Sequence, residues 1–184
     1  MEEIQAQEKA WHPTIVNRLQ RTHYTLQHAL NNKGLAAEDI AKGRLAQATL
    51  CLMQGNLLTA EDIARQTVEV EHQQDHLFFY PHAQRLLGCC LAVSGRHNEA
   101  DESFLQALHM SQQTGMRLEQ GRTLYNYGAI LLQRSCPQGT TFQTGLTYLQ
   151  QARELFTACH AAIDLKKVNR ILADPTARPL PYSI

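Results

Sequence analysis

The chain has 184 residues, 43% of them hydrophobic, and its 17 basic and 17 acidic side chains cancel. A formally neutral chain sets up no global field to attract nucleic acid or an anionic membrane, so both are disfavoured as partners. No run approaches the roughly eighteen apolar residues of a membrane span, the start MEEIQAQEKAW is unlike a secretory signal, and five cysteines without CxxC spacing fit the free thiols of a reducing compartment.

In chain order, residues 1–35 read as an N-terminal helical lead-in or partial repeat. Pro13 suits a first helical turn, and Ile15, Leu19, Leu26 and Leu30 keep helical spacing up to the stop at Gly34. Periodicity then predicts helices over about 36–54, 57–74, 81–94, 97–114, 117–134, 142–158 and 161–173. Gly55 and Gly95 mark tight turns, and Asn56 can cap the helix that follows it. Ser135 to Thr140 is a Pro/Gly-rich insertion at a hairpin tip. Pro175 ends the last helix, and residues 174–184 form a Pro-rich tail. Period-two alternation is absent, so the expected fold is all-α.

The helices repeat in pairs. Ala48, Gly88 and Gly128 stand at steps of forty, and the Gly95 turn has its counterpart at Gly55. Ala100, Phe104 and Ala107 on the second helix of the central pair match Ala60, Ala64 and Thr67 before them. After the insertion they match Gly145, Leu149 and Ala152, displaced by five residues. One hairpin cannot bury its apolar face alone; stacked neighbours can, with a terminal helix over the last face. The segment 36–173 therefore reads as a repeat array closed by a capping helix over 161–173.

Leu87-Gly88, Gly95, Ala100, Phe104 and Ala107 resemble the tetratricopeptide repeat, with partial matches at Ala48, Gly55, Ala60 and Ala64 and at Tyr127-Gly128, Gly145, Leu149 and Ala152. The step of forty exceeds the usual period of about 34, and Arg44, Gln84 and Leu124 replace the usual tryptophan. The longer repeat is similar to those of bacterial ATPase-linked transcriptional regulators and other bacterial signalling proteins. The resemblance implies a right-handed superhelical array of antiparallel hairpins and a non-catalytic scaffold for protein–protein interaction and regulation; the cysteine pattern makes the cytoplasm the expected compartment.

In such an array the first helix of each pair lines a concave groove. Positions three and four apart share a helix face, which places Lys42, His82, Arg122 and Lys167 on it. Leu45, Arg85, Tyr125 and Arg170 follow, then Thr49 and Cys89, with Asn126 adjoining. A neutral protein thus gathers cations in one groove. The expected ligand is an acidic or carboxylate-ended peptide segment, and the alternative is a signal peptide or small molecule. No cofactor or metal is expected. His72 and His76 are one turn apart but have no third rigid ligand, and Cys159-His160 has no third catalytic group. The apolar cluster Leu77 to Pro81 reads as core beneath the next repeat. An uncovered array end near Trp11 invites a homodimer through the array ends.

Overall fold

The computed structural model describes residues 35–73 and 77–176, together with Arg21, Tyr24 and His28. Trp11, His76 and most of the lead-in and tail lie outside the described residues. Among those described, the chain is helical without strands. The two long segments hold α1 (Ala37–Met53), α2 (Leu57–Gln73), α3 (Tyr80–Val93), α4 (His97–Gln113), α5 (Arg117–Gln133), α6 (Thr140–Ala158) and α7 (Ala162–Ala173). No described helix is long and apolar enough to cross a membrane.

Local chemistry ends these helices abruptly. After α1, Gly55 takes φ +77° while its N–H donates to the Leu52 carbonyl and that of Asn56 to the Cys51 carbonyl. Two crossed bonds of this kind satisfy carbonyls that the helix leaves orphaned, and the positive φ favours glycine. The same pair of bonds closes α3 at Gly95 and α4 at Gly115. After α6 the corresponding residue is His160, at φ +53°, held by the same two bonds. Acidic residues in first turns, among them Glu38, Glu99, Glu119 and Asp164, complement the helix dipole.

Each helix packs against the next, and α1 also touches α3, α3 touches α5, and α5 touches α7. Among the described helices, α2, α4 and α6 do not pack on one another. The odd-numbered helices therefore share a layer, with the even-numbered ones outside it. That placement explains why α3 and α5 are buried nearly all round, Leu86 to Ala92 and Thr123 to Leu132 without a break. Arg96, just ahead of α4, ties two outer helices, reaching Glu61 of α2 at 2.7 Å and Glu99 of α4 at 2.6 Å.

Small residues set the spacing. Phe104 of α4 is fully buried, and a Cβ added at Gly88 of α3 would lie 3.0 Å from its ring. The ring stacks on Tyr127 of α5 with centroids 4.9 Å apart and planes 14° from parallel. Forty residues on from Gly88, Gly128 faces Gly145 of α6 so closely that a Cβ there would meet the Gly145 carbonyl oxygen at 2.8 Å. Ala60 and Ala64 of α2 are likewise fully buried. The Leu77–Pro81 cluster divides. Pro81 is buried and Phe79 packs against the core, but Phe78 stands 64% exposed.

Candidate functional site

All four odd-numbered helices line one hollow of about 360 Å³. Thr49 comes from α1, His82 and Arg85 from α3, Arg122, Tyr125 and Asn126 from α5, and Ile163, Asp164 and Lys167 from α7. Spacings of three or four along each helix place these residues on one side. The volume is at the small end of the roughly 300–1,000 Å³ typical of ligand pockets.

The charges fall into two pairs and a remainder. Arg85 is buried, at 3% exposure, and its Nε donates to Glu119 Oε1 of α5. Burial opposes the charge on Glu119, but Arg85 chiefly, with His82 and Arg122, outweighs it and holds the carboxyl below the usual carboxylate range. Burial works against Arg85 as well, and Glu119 more than restores its preference for the charged form. Arg122 Nη2 lies 3.3 Å from Asp164 Oδ2 of α7. Lys167 is the remainder. Among the described residues it has no carboxylate within ion-pair distance, and burial lowers its pKa despite the nearby Asp164, with Arg122, Arg85 and Arg170 adding to the decrease.

The uncharged groups complete the surface. Asn126 Nδ2 lies 3.5 Å from Cys89 Sγ, in contact range of a weak acceptor. Burial pushes the Cys89 thiol up to about 11, so it stays protonated at neutral pH. Thr49 Oγ1 donates to the Leu45 carbonyl at 2.8 Å. Ile163, 76% exposed, gives the rim an apolar surface.

His82 is held neutral. Burial, helped by Arg85 and Arg122 and opposed by Glu119, lowers its pKa from 6.5 to about 4. The unfolded chain therefore takes up a proton below pH 6.5 that the folded chain refuses until about pH 4. Stability is expected to fall as pH drops through that window, by about 2 kcal/mol for a half-buried group, and to level off below it. Urea unfolding at pH 7, 5.5 and 4.5 should show this loss for the wild type. His82→Gln should remove this part of the slope.

Of the eleven groove positions expected from spacing, seven line the hollow: Thr49, His82, Arg85, Arg122, Tyr125, Asn126 and Lys167. Leu45 and Cys89 are core side chains at 1% exposure. Lys42 lies outside the lining, paired with Glu38 at 2.8 Å and 5.9 Å from the centre of the Phe79 ring. Arg170 is exposed and does not line the hollow. Spacing missed Glu119, Ile163 and Asp164. A signal for the two acids existed: Glu119 precedes Arg122, and Asp164 precedes Lys167, by three residues on the same helix. Among the described residues, no three His, Cys, Asp or Glu side chains cluster so as to hold a metal ion.

Compared with protein-family models, curated proteins and solved structures, the chain finds no match.

Proposed function

We propose that the chain is a tetratricopeptide-like, right-handed superhelical array serving as a non-catalytic protein-interaction scaffold, regulatory in a bacterial signalling or transcription system. Its hollow binds an acid-bearing segment of a partner protein. The forty-residue register and the shared layer of α1, α3, α5 and α7 support the architecture.

One observation carries the binding reading. Lys167 is a partly buried ammonium without an ion-pair partner among the described residues, in a hollow whose two arginines are already compensated. Withdrawing a cation from water is costly unless an anion arrives. A carboxylate entering the hollow would meet it, with the amide of Asn126 close by and Ile163 and the Tyr125 ring offering apolar surface to a neighbouring side chain. The small volume also suits a free signal peptide or small carboxylic acid, which would make the same contacts.

An array of acid-containing peptides tests the reading. The wild type is expected to retain peptides with Asp or Glu beside an aliphatic residue, and Lys167→Met to bind them about tenfold or more weakly, the worth of one charged hydrogen bond. Retention that ignores the acid, or that survives Lys167→Met, would contradict it.

A further inference from the structure

The charge balance of the hollow limits what it can hold, given that it receives an acid-bearing segment as above. Among the described residues that line the hollow or pair with its lining, Arg85, Arg122 and Lys167 supply three positive charges and Glu119 and Asp164 two negative ones, leaving one positive charge in excess; Arg170, outside the lining and exposed, is screened by solvent. The two acids differ in position. Glu119 is outside the lining and paired with Arg85, whereas Asp164 is part of the wall, in the first turn of α7. The amino end of that helix favours a negative charge there, and its contact with Arg122 is long at 3.3 Å. An anion entering the hollow therefore meets an ammonium that has no ion-pair partner among the described residues, and the Asp164 carboxylate, which competes with it for Arg122.

We propose that the hollow selects a singly charged carboxylate beside an aliphatic group, with Lys167 as its counterion, and that Asp164 sets the limit at one charge. A glutamate side chain brings the local sum to zero. A phosphorylated residue, with close to two charges and three acceptor oxygens, overshoots it and sets its second charge against Asp164. Asp164 is thus a specificity-determining residue: it shields Arg122 from the ligand and repels the surplus charge. Ile163, next to it in sequence and open to solvent at the rim, is placed to take the neighbouring aliphatic side chain.

Three tripeptides, blocked at both ends, provide the test: Leu-Glu-Leu, Leu-Gln-Leu and Leu-phosphoserine-Leu, titrated into the isotope-labelled full chain and followed by NMR at the amides of α3, α5 and α7. The glutamate peptide is expected to bind about tenfold or more tightly than the glutamine peptide, and about threefold more tightly than the phosphoserine peptide. In Asp164→Asn the order of the two anions should invert, with the phosphoserine peptide gaining about tenfold and the glutamate peptide less. Asp164→Ser, which keeps a small polar residue in the first turn, should behave alike. A wild type that prefers phosphoserine, or an anion preference unchanged in both variants, overturns the selection rule while leaving the hollow a carboxylate site. If no tripeptide shifts the hollow's resonances in any of the three proteins, the underlying binding reading fails with it.

Discussion

Alanine in place of Glu119 is expected to destabilise the protein by about 3–5 kcal/mol. The effect comes from what is left behind. Arg85 is 3% exposed, and Glu119 is its only ion-pair partner among the described residues. Without that carboxylate, a guanidinium that cannot shed its proton remains in a low-dielectric setting. Replacing both partners, as Arg85→Met with Glu119→Leu, should restore most of the loss, because two apolar groups of similar size need no compensation. Urea unfolding of the single and double variants would separate an uncompensated charge from lost packing. A single variant within about 1 kcal/mol of wild type would show that the pair is not what holds Arg85 in place. The pH dependence has a defined sign. Glu119's folded pKa lies below the ordinary value, so its stabilising contribution is complete at neutral pH and is lost as pH falls through the depressed folded pKa.

Phe104→Ala is expected to cost a similar amount, about 3–5 kcal/mol, from lost transfer free energy and the cavity left among α3, α4 and α5. The lost stacking on Tyr127 is part of it. A coupled change makes this specific. Gly88→Ala alone should destabilise, since its Cβ would press on the Phe104 ring at 3.0 Å. In the Phe104→Ala background the same methyl enters vacated space, and alanine's better helix propensity adds up to about 1 kcal/mol, so the effect should change sign. Additive effects of the two substitutions would mean that Gly88 is not spaced by that ring. Thermal or urea unfolding of the four proteins closes the cycle.

Much of the architecture was legible because it is local or repeated. The Gly55 and Gly95 turns, the period of apolar residues and the step of forty located the seven helices to within two residues at their ends. They also marked Gly88, Gly128 and Gly145 as repeat positions, and in the fold Gly88 meets Phe104 and Gly128 meets Gly145. The hollow was legible in part. A shared helix face found Arg122, Tyr125 and Asn126 on α5 and His82 and Arg85 on α3. Spacing says nothing of how deep a position sits, so Leu45 and Cys89, on that same face, proved to be core. Nor does it say which charges cancel. The partner of Arg85 is 34 residues away and that of Arg122 is 42 away, and only packing brings them together. This matters for experiment. From sequence, Arg85 is one of the groove cations, whereas in the fold reversing its charge would disrupt a buried pair and confuse folding with binding. Lys167 and Asp164 are the informative positions.

The proposed binding depends on Lys167 as a cation that waits for a negative partner. The direct measurement is the pKa of its ammonium, read by NMR pH titration of the side chain, in the free protein and with saturating Leu-Glu-Leu. In the free protein the pKa should fall below the ordinary lysine value, and the bound carboxylate should raise it. An ordinary or elevated value in the free protein, or one that does not change when the peptide is present, would contradict the account.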